Sequence, residues 1–267
     1  MDSAPSTADL ERQFDETFDC HIINLARTPE RMAAFHGRNG ATGVKFGRFE
    51  AADGNAIHPD DAVRQGIIKP MTRWSSKGTI GVALSHRNLW DKAIAEEKTL
   101  MVFEDDAWLR TDIRSAFMRG MAGRGDWDIV LLGYNTDSLL EINLIGDFDI
   151  SGLFTPRYPT VANLQSFVKA TDPVTAYRLR HAFGICGYAI TPAGAQKLRQ
   201  SVFPMDNRML EFPATDRRFP AFSIDAMMNA FYRDLAGYAC VPPLVLAEND
   251  WDKSTIARPR VQPGTRR

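Results

Sequence analysis

The sequence lacks the long apolar run of a transmembrane helix, which needs about 18 or more consecutive apolar residues. Its first residues, from Met1 to Ser6, also lack the basic region and the apolar run of a signal peptide. We therefore expect a cytoplasmic protein, which could still work at the inner face of the membrane.

Cysteine and net charge are also scarce. The three cysteines, Cys20, Cys186 and Cys240, lie far apart and form neither a CxxC pair nor the spacing of a zinc site. This pattern is typical of small buried apolar residues in a reducing compartment. The formal net charge of −1 lacks the basic excess of a nucleic-acid-binding protein, so we expect no nucleic-acid partner.

The chain is long enough to bury a sizeable core. Its 267 residues, 44% hydrophobic and 24% charged, suit one large α/β domain or two small ones. We expect a polar lead-in over residues 1–17 and a single domain over residues 18–257. Residues 258–267 carry four arginines and two prolines, which predicts a basic, disordered tail that could bind an anionic membrane surface or could serve only as a solubilising tail.

Strands and helices alternate along most of the chain. Apolar, strand-like segments run from Cys20 to Leu25, from Thr99 to Phe103 and from Asp128 to Gly133. After the first of them, Thr28-Pro29 supplies an N-cap and a first helical residue. Such alternation predicts an α/β fold with an open, mostly parallel sheet and helices on both faces. Residues 134–181 show no clear periodicity, so we expect a functional loop or lid there.

The second of these strands ends in three consecutive carboxylates, Glu104, Asp105 and Asp106. In an open α/β sheet, ligands bind at the carboxyl ends of the strands. Because adjacent like charges repel one another, a bound cation is a natural way to hold them together, and oxygen ligands suit Mg²⁺ or Mn²⁺. A solvated acidic turn is the alternative interpretation of the same residues.

Several motifs occur in one order along the chain and together match a known family. They are Ile23-Asn24-Leu25 with Arg27 and Arg31, Ala51-Ala52-Asp53-Gly54, Gly81 with Ser85-His86, Phe103-Glu104-Asp105-Asp106, Trp127-Asp128 through Leu132-Gly133, Gly187-Tyr188 through Gly194-Ala195, Ile224-Asp225, and Pro243 with Ser254 and Ile256. With these motifs the chain resembles glycosyltransferase family 25, the enzymes of lipopolysaccharide sugar addition and the related collagen galactosyltransferases. Two positions depart from the family pattern, since Thr79 stands where Glu is usual and Val82 where Cys is common.

The resemblance implies a GT-A fold, a nucleotide-sugar donor, a divalent metal and a transfer that inverts the anomeric configuration. The donor would be a UDP-sugar, the transferred hexose galactose or glucose, and the acceptor a hydroxyl of a surface glycan such as lipopolysaccharide. Mn²⁺ or Mg²⁺ would be the cofactor. Asp106 would bind the metal together with Glu104, and Glu104 and Asp105 would also contact the donor.

Five further residues are candidates for donor binding. Arg27 and Arg31 flank the first strand-to-helix turn, where a helix N-terminus and guanidinium groups suit a diphosphate; the alternative is two solubilising surface residues. Asp53 could bind ribose or uracil, or could only shape its turn. Ser85 and His86 lie in the middle of a predicted helix, so donor contact competes with a structural role in the core.

An inverting transfer needs a general base that deprotonates the acceptor hydroxyl. Asp225 matches a family aspartate and is our candidate, although an aspartate at that place would also stabilise a helix N-terminus. The other candidates for the base are Glu211, Asp216 and Glu248. Three aromatic residues could stack on sugar rings or could belong to the core, namely Trp74, Tyr134 and Trp251.

Two other function classes fit parts of the sequence. A catalytically inactive protein that binds nucleotide-sugars or glycans would keep the same fold, and only the departure at Thr79 favours it. A metal-dependent phosphohydrolase or a glycosidase could use the same carboxylates, but a glycosidase needs two carboxyl groups about 5 to 10 Å apart and no metal. Metal-dependent nucleotide release that requires an acceptor would separate the transferase from both.

Overall fold

The computed structural model describes residues 4–73, 76–212 and 217–248. The helices among these residues are α1 (Thr7–Thr17), α2 (Pro29–Asn39), α3 (Pro59–Arg64), α4 (Lys77–Glu96), α5 (Ile113–Gly120), α6 (Val161–Phe167), α7 (Pro192–Val202) and α8 (Ile224–Asn229). The strands are β1 (Asp19–Asn24), β2 (Phe46–Glu50), β3 (Leu100–Glu104), β4 (Ala107–Leu109), β5 (Ile129–Gly133), β6 (Leu140–Ile145), β7 (Phe148–Gly152), β8 (Thr175–His181), β9 (Gly187–Ile190), β10 (Met209–Phe212), β11 (Arg217–Pro220), β12 (Gly237–Val241) and β13 (Val245–Ala247).

The central sheet has the strand order β2-β1-β3-β9-β5-β12-β8-β6-β7. β1 pairs in parallel with β2 and β3, and β12 pairs in parallel with β5. β9 lies antiparallel between β3 and β5, so β2, β1, β3, β5 and β12 all run in one direction. β8, β6 and β7 extend the sheet by antiparallel pairing. The predicted α/β class with a largely parallel central sheet is confirmed.

The sheet is buried on both faces, as the side chains of β3 illustrate. Leu100 and Val102 pack into one apolar core, and Met101 and Phe103 pack into another. Alternate residues of a strand point to opposite faces, so the two cores lie on opposite sides of the sheet. Buried residues of α4, α7 and α8 fill the first core and those of α1, α2 and α5 fill the second. Helices therefore cover both faces, as predicted.

Residues 134–181, predicted as an irregular loop or lid, are mostly regular, so that prediction was wrong. They form β6, β7, α6 and β8. β6 buries Glu141 between Leu140 and Ile142, and β7 is exposed along its whole length. In sequence both strands alternate apolar and polar residues, as Leu140-Glu-Ile-Asn-Leu and Phe148-Asp-Ile-Ser, so the period-2 signal of a strand was present and was overlooked. Arg233 forms an ion pair with Glu141, which makes the burial of this carboxylate tolerable.

The predicted polar lead-in over residues 1–17 contains the helix α1. Ser6 and Asp9 form a capping box at its start. Leu10 and Phe14 are buried, and the Phe14 ring packs edge-on against Phe117 of α5. Two apolar residues at the helical spacing i, i+4 are therefore enough to dock an otherwise polar segment.

All three cysteines are buried free thiols, as predicted. Residues 258–267 lie outside the described residues. In the part of the chain that the structure describes, no helix is long and apolar enough to span a membrane.

Candidate functional site

The acidic segment lies where β3 ends, at the edge of the sheet to which β1 also points its carboxyl end. Ile23 of β1 pairs with Glu104 of β3, so the residues that follow each strand lie close together. The N–H of Glu104 donates to the carbonyl of Cys186, which holds the end of β3 against the start of β9. Asp105 and Asp106 form the turn between β3 and β4. The three carboxylates predicted as a site therefore lie at the ligand-binding edge of an α/β sheet.

Asp105 is buried and its carboxylate binds two residues of the first strand-to-helix unit. Asn24, the last residue of β1, donates its Nδ2–H to Asp105 Oδ2 at 2.7 Å. Arg31 of α2 donates its Nε–H to Asp105 Oδ1 at 2.8 Å, and its Nη2 also contacts that oxygen. The carboxylate of Asp105 thus fixes β1 and α2 against the end of β3.

Glu104 and Asp106 remain accessible, with side chains 34% and 42% exposed. Burial of the rest of its surface, together with the nearby carboxylates of Asp106, Asp105 and Asp225, raises the pKa of Glu104 to about 8, and Arg31 offsets only part of this rise. Burial also raises the pKa of Asp106 against the opposing effect of Arg31, whose Nη2 lies 3.7 Å from Asp106 Oδ2. Burial and mutual repulsion of the carboxylates therefore outweigh the positive charge that the nearby Arg31 supplies.

A divalent cation is compatible with these two residues. Among the described residues, no group of three or more His, Cys, Asp or Glu side chains is arranged to hold a metal ion. However, Mg²⁺ is usually held by one or two carboxylates, with substrate phosphates and waters completing its shell. Asp106 Oδ1 is buried and has no hydrogen-bond partner within the described part of the chain. Glu104 and Asp106 thus fit a cation site that the substrate would complete.

Asp225 lies near the three carboxylates, since its charge contributes to the raised pKa of Glu104. It is the second residue of α8, and its Oδ2 accepts the N–H of Gly184 at 2.9 Å. Ser223 Oγ donates to its other oxygen, Oδ1. Asn229 reinforces this arrangement, because its side-chain amide bonds both the N–H and the carbonyl of Ala182, at 2.9 and 2.6 Å. Asp225 is therefore held between α8 and the segment that leads into β9.

Arg27 and Asp53 are brought together on the surface beside this edge. Arg27 Nη1 donates to Asp53 Oδ2 at 2.6 Å, and both side chains are substantially exposed. Asp53 Oδ1 accepts the N–H of Asn55 at 3.0 Å, as expected for a residue that shapes its own turn. The structure therefore supports the turn-forming role of Asp53 and leaves its predicted donor contact a prediction.

Ser85 and His86 are buried in α4. Ser85 Oγ donates to the carbonyl of Gly81 at 2.8 Å and accepts the N–H of Ala52 at 2.9 Å. His86 Nδ1 lies 2.9 Å from the Tyr188 hydroxyl, and burial lowers its pKa to about 3. His86 Nε2 lies 4.0 Å from Glu104 Oε1, so the imidazole packs directly beneath this carboxylate. The structure gives both residues a structural role, and their predicted contact with a donor stays a prediction.

The other candidates are dispersed. Glu211 is 63% exposed and paired with Arg218, and Glu248 lies near Arg38, since its charge raises the pKa of that arginine against the larger effect of burial. Tyr134 is buried in the core and donates its hydroxyl to the carbonyl of Cys240 at 3.0 Å. The remaining candidates, Asp216, Trp74 and Trp251, lie outside the described residues.

Sequence reasoning missed the roles of Asn24 and Arg38. Asn24 holds Asp105, as described above, and Arg38 of α2 donates its Nε–H to the carbonyl of Ala107 at 2.9 Å and bonds the carbonyl of Asp105. Both therefore fix the backbone that carries the acidic segment. Asn24 belongs to a motif of the family resemblance, and this was the signal that could have identified it.

Comparisons with known proteins agree on one family. The model of "Glycosyltransferase family 25 (LPS biosynthesis protein)" matches residues 18–209. Human "Procollagen galactosyltransferase 2" is 25% identical, over 91% of this chain and 39% of its own length. The rat "Probable inactive glycosyltransferase 25 family member 3" is 28% identical, over 49% of this chain and 24% of its own length. The chain thus spans between about a quarter and two fifths of the length of these relatives.

Proposed function

The chain belongs to glycosyltransferase family 25, and we propose that it is an inverting, metal-dependent glycosyltransferase. It moves a hexose, galactose or glucose, from a UDP-sugar to a hydroxyl of a surface glycan such as lipopolysaccharide. One observation carries this proposal. Two accessible carboxylates, Glu104 and Asp106, lie at one edge of the sheet beside Arg31 and near a separately held carboxylate, Asp225.

Glu104 and Asp106 would hold Mn²⁺ or Mg²⁺ together with the donor diphosphate. When bound, the metal neutralises negative charge that develops on the leaving diphosphate. One pair of unit charges at 4 Å is worth about 4 kcal/mol at an effective dielectric constant of 20, which is roughly a thousandfold in rate. The raised pKa of Glu104 and the unpartnered Oδ1 of Asp106 support a cation at this place.

Asp225 would act as the general base. The proton of the acceptor hydroxyl passes to Asp225 as the hydroxyl oxygen attacks the anomeric carbon, and the bond from that carbon to the diphosphate oxygen breaks. Attack opposite the leaving group inverts the anomeric centre. The hydrogen bonds from Ser223 and Gly184 orient the carboxylate, and each carboxylate oxygen keeps a further lone pair for the incoming hydroxyl.

Cytoplasmic location at the inner face of the membrane is part of the proposal. The arginines of the predicted tail over residues 258–267 would contribute about 1 kcal/mol each near an anionic lipid surface. Cosedimentation with vesicles that contain anionic lipid, compared with a chain that ends at residue 257, tests this part independently of catalysis.

The second candidate is a protein of the same fold that binds nucleotide-sugars or glycans without transferring them. Family members that match this chain include proteins whose names describe them as inactive. The retention of Glu104, Asp105 and Asp106 favours the enzyme. Binding alone does not separate the two functions, so a turnover measurement must follow.

Calorimetry with a panel of UDP-sugars, with and without Mn²⁺, tests the proposal first. We expect the native chain to bind one of them only in the presence of metal, and Asp106→Asn to abolish that binding. Asp60→Asn, which changes an aspartate that is 77% exposed on α3, is the matched control and should bind normally. Release of UDP that depends on a glycan acceptor then identifies a transferase; metal-dependent binding without release identifies the inactive alternative. Failure to bind any UDP-sugar would refute the proposal.

A further inference from the structure

A pocket of about 610 Å³ is lined by Phe183, whose neighbour Gly184 binds the proposed general base Asp225. Its walls consist of three phenylalanines, two leucines and three polar residues. The phenylalanines are Phe183, Phe212 and Phe219, and the polar residues are Asp137, Ser138 and Arg157. An apolar pocket with a few well-placed polar side chains is the usual form of a site for a small ligand. Its size suits one or two sugar rings.

Four separate segments of the chain build the pocket. Asp137 and Ser138 follow β5, Arg157 follows β7, Phe183 precedes β9, and the other two phenylalanines come from the hairpin of β10 and β11. Hydrogen bonds tie the first three segments together. The N–H of Asn135 donates to the carbonyl of Phe183 at 2.7 Å, and Thr136 Oγ1 donates to the carbonyl of Arg157 at 2.8 Å. The pocket is therefore a fixed part of the fold.

The phenylalanine rings form a stacked aromatic platform. Phe212 and Phe219 lie with their ring centroids 4.8 Å apart and their planes 10° apart. Phe183 stacks on Phe212 at 5.5 Å, and its ring lies 5.4 Å from that of Phe219 with the two planes tilted by 37°. Phe212 is buried, whereas Phe183 and Phe219 keep exposed surface. Aromatic faces that are partly open to a pocket can receive the C–H face of a pyranose ring, which is apolar although its hydroxyl groups point outward.

The platform lies next to the proposed general base. Phe183 directly precedes Gly184, whose N–H donates to Asp225 Oδ2 at 2.9 Å. Adjacent Cα atoms are about 3.8 Å apart. The residue that carries one ring of the platform therefore directly adjoins the residue that binds the carboxylate of the proposed base.

We propose that this pocket holds a pyranose ring of the acceptor glycan, stacked on Phe183 and Phe219. Asp137, Ser138 and Arg157 supply a carboxylate, a hydroxyl and a guanidinium for the ring hydroxyls. The proposal rests on the proposed transferase function for its role in the reaction, whereas binding of the sugar can be measured by itself.

Saturation-transfer NMR with the methyl β-pyranosides of glucose, galactose and N-acetylglucosamine tests the pocket directly. We expect at least one to bind the native chain, with the strongest transfer to its C–H protons, and to bind at least tenfold more weakly to Phe219→Ala. Arg157→Ala is a second variant, because Arg157 is exposed and its truncation does not disturb the aromatic cluster. Phe148→Ala, a truncation at a 74% exposed phenylalanine of β7 outside the pocket, should bind like the native chain.

Three results would overturn the proposal. They are no binding of any pyranoside, binding that neither Phe219→Ala nor Arg157→Ala weakens, and binding of decanoate in place of the pyranosides, which would identify an acyl-chain pocket. UDP-sugar binding by the native chain is measured in the same preparation. If UDP-sugars fail to bind while a pyranoside binds in the pocket, the transferase proposal fails and the sugar site stands. If a UDP-sugar binds while no pyranoside does, the sugar site fails and the transferase proposal stands.

Discussion

Arg31 and Asp105 form a largely buried ion pair that joins α2 to the end of β3, with side chains 25% and 10% exposed. Asn24 completes the contact from β1. Asp105, the middle residue of the acidic segment, therefore has a structural role. Its neighbours Glu104 and Asp106 are the two carboxylates that remain accessible to a ligand.

Asp105→Asn should lower the free energy of unfolding by about 2 kcal/mol, because a neutral amide replaces the carboxylate that Arg31 hydrogen-bonds directly in a largely buried place, and the Asp106 carboxylate is more distant. Urea denaturation of this variant, of Arg31→Met and of the double variant gives the coupling between the two residues. Asp61→Asn is the control, since Asp61 pairs with Arg64 at the surface and should contribute less than about 0.5 kcal/mol. A loss as small as that of the control would show that the Arg31–Asp105 pair does not stabilise the fold.

Glu104→Gln should stabilise the metal-free protein at alkaline pH. The pKa of Glu104 in the folded chain is about 8, above the value of about 4.3 in an unfolded chain. The fold thus favours the protonated carboxyl, and Glu104 lowers stability progressively as the pH rises from about 4 to 8. With an allowance for its 34% exposure, we expect the variant to be about 1 kcal/mol more stable than the native chain at pH 8 and equal to it at pH 4.

Denaturation of both proteins at pH 4 and pH 8, in the presence of a chelator, measures this difference. Saturating Mn²⁺ provides the second comparison, because it should stabilise the native chain more than the variant. Equal stability of the two proteins at both pH values would mean that the carboxyl of Glu104 is not desolvated.

Asp225→Asn should lower kcat for transfer by a factor of about 10² to 10⁴, the usual contribution of a general base. The amide keeps an oxygen for the N–H of Gly184, so UDP-sugar binding should change little. Acceptor-dependent UDP release measures kcat, and calorimetry measures donor binding. Glu211→Gln, at an exposed carboxylate paired with Arg218, is the control. If Asp225→Asn keeps its full kcat, Asp225 is not the general base, and Glu248 becomes the next candidate.

The sequence predicts where the acidic segment lies better than it predicts the contacts of its three carboxylates. The apolar residues of β3 followed by Glu104 place a carboxylate at the ligand-binding edge of an α/β sheet. The hydrogen bonds of Asp105 with Arg31 and Asn24 cannot be predicted from the sequence, because these partners lie 74 and 81 residues away along the chain. Only the parallel pairing of β1 with β3 brings them together.

The aromatic pocket shows the same limit. The ring of Phe183 contacts those of Phe212 and Phe219 only because the antiparallel pair of β10 and β11 packs against the segment that leads into β9. No periodic pattern within one segment signals such a cluster. The residues of 134–181 that line its other side lie in the connections that follow β5 and β7, so the irregular parts of this stretch contribute to the candidate site.

His86 should remain neutral across the physiological range. Burial lowers its pKa to about 3, so its imidazole resonances should not titrate between pH 8 and pH 4. Because an unfolded chain binds this proton below about pH 6.5, the contribution of His86 to stability is full above that pH and is lost as the pH falls toward 3. A ¹⁵N-detected NMR titration, with free imidazole in the same sample as the titrating reference, checks this. A midpoint above pH 5 would mean that water reaches the ring beneath Glu104.

Gly81→Ala should destabilise the protein by about 2 kcal/mol, because α4 crosses the turn that carries Asp53 at backbone contact. A Cβ at Gly81 would lie 2.6 Å from the carbonyl oxygen of Ala52 and 2.6 Å from the backbone nitrogen of Gly54. Neither neighbour is a flexible side chain, so the helix and the turn must separate. Gly37→Ala in α2 is the matched control, since a Cβ there meets nothing within 4 Å and alanine favours a helix over glycine by roughly 0.5–1 kcal/mol. Urea denaturation should therefore give changes of opposite sign for the same substitution in two helices. Two changes of the same sign would mean that the turn bearing Asp53 can move away from α4.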